Sequence, residues 1–261
     1  MTKNILQRIN NPRFRQPSGS AVHICSTSLM LIFFIIVKFT YCQEKPIHGL
    51  VFNGKNSYVL IPENNSLDLN ESFTIEFWIY VKVDTQYAHL FTKHQPGIND
   101  DGSWVLKNYN KGVKNNTVID FSWPYKPNTV TFVYEGSIKP LNWFHFAVCY
   151  DNDNGDVSFW LNGTMKAKHN RKLNILNTDW PLFIGSEWSY NHFEGYLSEI
   201  RLSNIVRYKE AFRPPISHVV DDFTLAYWPC NEGQSDILHD LSPNQNHGKV
   251  INATWITDNS F

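Results

Sequence analysis

The chain has 261 residues, enough for one substantial domain, since a single β-sandwich commonly runs to ~200 to 250 residues. With 23 Lys+Arg against 24 Asp+Glu its formal net charge is -1, and no long charged run follows residue 43, so the positive face that a nucleic-acid partner needs has no support. Aromatic residues make up 15% of the chain, and such side chains favour half-buried pleated surfaces, which tilts the composition towards strands.

In chain order, the first segment is a leader. Lys3, Arg8, Arg13 and Arg15 form a basic start without acidic residues, and residues 29–37 (LMLIFFIIV) follow as an apolar run. That run is short for a ~20-residue membrane span, so a secretory signal is expected over residues 1–42. Thr40 and Cys42 are small enough for the -3 and -1 positions of a signal-peptidase site, releasing a secreted chain that starts at Gln43. Met30 is an alternative start. An uncleaved signal-anchor is the other reading, and the only one that brings in a membrane.

Residues 43–261 are expected to form a single all-β domain. Short runs of period-2 alternation are separated by Gly, Asn, Asp and Pro clusters, without a sustained helical period. Residues 72–83 (SFTIEFWIYVKV) set Phe73, Ile75, Phe77, Ile79 and Val81 against Thr74, Glu76, Trp78, Tyr80 and Lys82, a strand with one face on a core. Residues 143–150 (WFHFAVCY) are apolar on both faces, as in a central strand. Asn154-Gly155 supplies the positive φ of a hairpin to residues 156–162, and Asn162-Gly163 marks the next turn. Residues 182–185 and 196–202 give two later strands. A helical turn is expected over residues 206–212, stopped by Pro214 and Pro215.

Cys25 and Cys42 fall in the leader, leaving Cys149 and Cys230 either as one disulfide in an oxidising compartment or as two buried thiols. Sequons at Asn64, Asn70, Asn115, Asn162 and Asn252 accord with export of a glycoprotein.

The order of motifs resembles the laminin-G-like jelly-roll modules of the concanavalin-A-like lectin/glucanase superfamily. The likeness runs through GLVFNGKNSYVLIP at 49–62, SFTIEFWIYV at 72–81, NWFHFAVCYDNDNGDVSFWLNGTMKA at 142–167, PLFIGS at 181–186 and FEGYLSEIRLSNIVRY at 193–208. It closes with LAYWPCNEG and its sequel up to Trp255. It implies a two-sheet antiparallel sandwich of about six or seven strands per sheet, with the last segment returning beside the first. Two departures stand out. Ser198 precedes Glu199 where many relatives are acidic, which weakens inherited calcium ligation, and Cys230 replaces an aromatic, which favours a disulfide particular to this chain.

Glucanases of this superfamily carry carboxylates alternating on one strand, ~5 to 5.5 Å apart for retaining hydrolysis. Here only Asp151 and Asp153 have that spacing, in a turn, and no Glu-x-Asp-x-x-Glu arrangement occurs. There is no Gly-x-Ser-x-Gly elbow, and His145 reads as a sheet-face histidine before a general base. Asp151 and Asp153, in an Asp/Asn-rich run, are open to either calcium ligation or plain hairpin chemistry.

Recognition is the remaining expectation, of a glycan or an extracellular protein, through sandwich-end loops or a concave sheet. The loop of residues 185–192, with Trp188, Tyr190 and His192, is the first candidate, joined by Trp104, Trp123 and Tyr125 near turns. The same rings also suit a satellite core closing the sandwich ends. A glycan-processing hydrolase or transferase and a structural adhesion or matrix component are the alternative functions.

Overall fold

Strict alternation of apolar and polar side chains becomes two packed sheets in the computed structural model, which describes residues 44–69, 71–82, 87–94, 102–110, 117–123, 130–138, 140–173 and 178–256. The leader expected over residues 1–42 and the sequons at Asn70 and Asn115 lie outside the described residues. The strands are β1 (Leu50–Asn53), β2 (Tyr58–Ile61), β3 (Phe73–Val81), β4 (Tyr87–His94), β5 (Gly102–Asn110), β6 (Thr117–Trp123), β7 (Val130–Ile138) and β8 (Trp143–Asp151). They continue as β9 (Asp156–Leu161), β10 (Thr164–Asn170), β11 (Leu182–Ile184), β12 (Glu194–Ser203), β13 (Thr224–Trp228), β14 (Ile237–Leu238), β15 (Gly248–Ile251) and β16 (Thr254–Trp255).

The first sheet runs β10-β9-β8-β3-β12-β1-β16, with β13 also paired to β12, and the second runs β14-β15-β2-β11-β4-β5-β6-β7. Each has eight strands, more than the six or seven expected. The surplus is β14 and β16, two residues each and too short to show alternation in the sequence. As the motif order implied, the last segment returns to the first, β16 pairing with β1 and β15 with β2.

Phe73, Ile75, Phe77, Ile79 and Val81 of β3 point into the core between the sheets, where Phe77 meets Phe91 of β4 with ring centroids 5.0 Å apart. β8 lies between β3 and β9, the central place that its two apolar faces required. Asn162 (φ 49) and Gly163 (φ 73) make a two-residue turn between β9 and β10, in the left-handed conformation that tight hairpins need.

The other face of β3 is buried as well, because residues 204–222 cross it as a strap. Thr74 Oγ1 donates to the Ile205 carbonyl (2.7 Å) and Trp78 Nε1 to the Pro215 carbonyl (2.9 Å). The helical turn expected at residues 206–212 is absent. Its backbone is bonded to the sheet instead, Arg207 N–H to Thr74 Oγ1 and Phe212 N–H to the Gly163 carbonyl, and these outweigh a local helix that has only one turn to offer.

The Cys149–Cys230 disulfide is likewise not formed; both are free, buried thiols. Cys149 packs with Ala147 and Trp160 under the strap, whereas Cys230 belongs to the core between the sheets. Strands β3 and β12 separate β8 from β13, so three strand spacings of about 4.8 Å lie between them, beyond the ~7 Å that a disulfide spans.

Candidate functional site

The loop of residues 185–192 leaves β11 on the positive φ of Gly185 and folds back through a Glu187–Tyr190 bridge. Trp188 turns inwards: its ring packs on Phe183 (4.9 Å) and its Nε1 donates to the His94 carbonyl (2.9 Å). His192 is half-buried near Tyr58, with Nδ1 3.4 Å from the Ser57 carbonyl. Tyr190 is the ring the loop presents to solvent, 64% exposed.

Beneath this loop Glu187 meets two histidines of β4, His89 (Nε2 to Oε2, 3.4 Å) and His94 (Nε2 to Oε1, 3.1 Å). Burial lowers His89 to about 3, keeping its imidazole neutral. Burial alone would raise Glu187, but the His94 hydrogen bond, His89 and Asn191 outweigh it and hold the carboxyl at about 2.

The remaining sequence candidates divide. Trp104 is corrected: it lies within β5, not at a turn, and its ring is fully buried in the core, where the apolar alternation of the strand takes it. Trp123 ends β6, and Tyr125 lies outside the described residues. Asp151 accepts from the Asp153 N–H through Oδ1 (3.1 Å) and from Asn154 Nδ2 through Oδ2 (2.9 Å), while Asp153 is exposed. Hairpin chemistry thus accounts for both Asp151 oxygens. Of the sequons, Asn64 and Asn252 are exposed, whereas Asn162 Oδ1 accepts the His145 N–H within the turn.

The outer face of the first sheet holds what sequence reasoning missed. At its covered centre Glu76 accepts from Arg201 Nε (2.9 Å) and Nη2 (2.6 Å) and from Tyr208 OH (2.5 Å), with His145 Nε2 3.3 Å away. His145 is therefore buried beside a carboxylate under the strap. Beyond the strap's edge, over β8, β9 and β10, opens a cleft of about 290 Å³. Asp151, Asn154, Asp156, Ser158, Lys168 and Lys209 supply its polar lining, and Trp160 and Met165 its apolar part. Lys168 Nζ (2.7 Å) and Asn170 Nδ2 (2.7 Å) hold Asp156 and push its carboxyl below the ordinary range. Cys149 also faces the cleft, but burial pushes its thiol up to about 12, so it carries no thiolate.

On the same face, Trp143, Tyr80 and Tyr196 are register partners across β8, β3 and β12, with ring centroids 5.8 Å and 4.8 Å apart in that order. Alternation in the sequence placed Tyr80 off the core, and only strand register shows that the three rings share one row.

A family model described as the concanavalin A-like lectin/glucanases superfamily matches residues 53–211. No curated protein sequence matches the chain. Among solved structures, a Bacteroides ovatus protein provisionally described as carbohydrate binding superposes with a TM-score of 0.62 at 16% identity, over 81% of this chain and 60% of that one. The chain thus spans less than two thirds of that protein's length. The Ruminococcus gnavus IT-sialidase CBM40 superposes with a TM-score of 0.50 at 13% identity, over 62% of this chain and 92% of that one. Identities this low speak to the shared fold.

Proposed function

The chain belongs to the concanavalin A-like lectin/glucanases superfamily, and from that membership we propose that it is a non-catalytic module that binds carbohydrate outside the cell through the cleft over β8, β9 and β10. The observation that carries the reading is the cleft's lining. Two carboxylates, Asp151 and Asp156, are balanced by two ammonium groups, Lys168 and Lys209, with Asn154 and Ser158 between them. Such a fence of donors and acceptors without net charge suits the hydroxyls of a sugar better than an anion or a cation. A volume of about 290 Å³ stands at the low end of small-molecule sites (~300 to 1,000 Å³), which favours a terminal sugar over an extended chain. The neighbouring CBM40 has been solved with alpha2,3 sialyllactose bound, which supports carbohydrate as the ligand class; that sugar is an anion, whereas the balanced lining here favours a neutral one. The leader-like residues 1–42 support the extracellular setting.

A glycan hydrolase is the second reading, because Asp151 and Asp156 oppose each other as β8–β9 partners beside the cleft. Retaining hydrolysis needs one carboxyl kept protonated by a raised pKa. Asp156 is shifted the other way by Lys168 and Asn170, and both Asp151 oxygens accept turn donors.

A glycan array probed with the purified protein separates the two. Binding without release of reducing ends is expected, and Asp156→Ala should lower retention at least about tenfold, the loss of a hydrogen bond to a charged group. The fold should survive, since the Asp156–Lys168 pair is at the surface. Unchanged retention by Asp156→Ala, or turnover of the printed glycans, would overturn the proposal.

A further inference from the structure

Two features of the His89, His94 and Glu187 cluster go beyond an ordinary histidine–carboxylate contact. The first is spacing. A metal held at 2.0 to 2.1 Å by imidazole nitrogens and a carboxylate oxygen in a tetrahedron sets its ligand atoms about 3.3 Å apart. Here His89 Nε2 lies 3.4 Å from Glu187 Oε2 and His94 Nε2 3.1 Å from Oε1, separations of that size to the two oxygens of one carboxylate, and a ligand atom from each residue lies within 4.8 Å of the other two.

The second is an unmet atom. His89 is 2% exposed, and its Nε2, aimed at Glu187, makes no aligned hydrogen bond. A buried ring nitrogen in that condition is costly unless something else engages it. The opposite nitrogen, Nδ1, lies 2.9 Å from Thr92 Oγ1, which fixes the ring with Nε2 facing the cluster. The other ligands are braced too. Asn191 Nδ2 donates to Glu187 Oε2 (2.7 Å), and Trp188 Nε1 anchors the His94 carbonyl.

We propose that His89, His94 and Glu187 bind a divalent transition-metal ion of zinc type through two imidazole nitrogens and the carboxylate, with a further position open to water or to a ligand oxygen. The side chains of His94 and Glu187 are 14% and 16% exposed, which gives the ion a way in. Bound there, it clamps the loop of residues 185–192 onto β4 and stiffens the base from which Tyr190 projects. The trio of Glu76, His145 and His218 has similar spacing and unmet ring nitrogens, but both oxygens of its carboxylate are taken, Oε1 by Arg201 Nη2 at 2.6 Å and Oε2 by the Tyr208 hydroxyl, and the guanidinium would repel a second cation.

The full-length protein, stripped with chelator and dialysed against zinc chloride, should retain one zinc per chain by elemental analysis. Cobalt(II) in its place should give the visible absorption of a four-coordinate site. Glu187→Gln keeps the side-chain shape and should weaken zinc binding by more than the roughly 10 to 100-fold expected for the outer-shell change Asn191→Ala. His239→Ala, at an exposed imidazole 3.4 Å from Glu232, is the control and should retain the metal. Less than half an equivalent of zinc in the unmutated protein, or full retention by Glu187→Gln, would overturn the proposal. Asp156→Ala should still bind zinc, so this result stands or falls apart from the glycan reading.

Discussion

Glu76 is fully buried and yet ionised, because two nitrogens of Arg201, the Tyr208 hydroxyl and the neighbouring imidazoles converge on it. Burial raises its pKa, but His218, His145 and Arg201 outweigh that and hold the carboxyl well below the usual range. His218, on the strap above, is lowered to about 3 by burial. In the unfolded chain the imidazole titrates near 6.5 and the carboxyl near 4.5. Both folded values are depressed, so both contributions are present above the unfolded pKa and are lost as pH falls towards the folded one. Stability measured by urea unfolding should therefore drop by about 2 kcal/mol between pH 7 and pH 5 from His218 alone, and more steeply below 4.5 as Glu76 follows. His218→Gln should reduce the first part of that slope by about half, the remainder belonging to His89, which burial also lowers to about 3. An unchanged slope in the variant would mean that the imidazole is not carried into the fold uncharged.

At the scale of elements, the strap over the first sheet depends on a turn. Gly163 has φ 73, and a Cβ there would meet the Phe212 carbonyl oxygen at 1.7 Å, where Phe212 N–H also bonds the Gly163 carbonyl. Gly163→Ala should cost more than about 1 kcal/mol in urea unfolding, from the left-handed backbone together with displacement of the strap. Asn162→Ala, at φ 49 in the same turn but away from that clash, should cost less. Turns of this kind were legible in the sequence because Asn-Gly declares its backbone locally, and β3 and β8 were legible because alternation does the same. The strap was not, since residues 206–212 pack by bonds to Thr74 and Gly163, partners about 130 and 50 positions away that leave no periodic trace. The site divides on the same line. The exposure of Tyr190 could be read from its loop, whereas the cleft assembles Asp151 and Asp156 with Lys209 from beyond β12, and the metal cluster joins β4 to the residue three positions past β11. The disulfide failed for a related reason: two cysteines in a sequence carry no record of how many strands stand between them.

For the molecule as a whole, residues 248–256 tie both sheets to the start of the domain. β15 hydrogen-bonds β2 in the second sheet and β16 hydrogen-bonds β1 in the first, with Val250 buried in the common core and Trp255 Nε1 donating to the Ser235 carbonyl. Removing them uncovers an interior strand of each sheet at once, which no surface truncation would do. Loss of the Val250 side chain and of one net hydrogen bond already amounts to about 3 kcal/mol. In a domain of 150 to 250 residues that is a fall of roughly 6 to 12 °C in Tm. A chain ending at His247 should therefore unfold at least that much earlier by calorimetry, and in a single transition, because the side chains of both sheets interdigitate in one core. Two separated transitions would instead show the sheets melting independently, and a Tm within about 2 °C of the full chain would mean that the return of the C-terminus covers the sheets without holding them together.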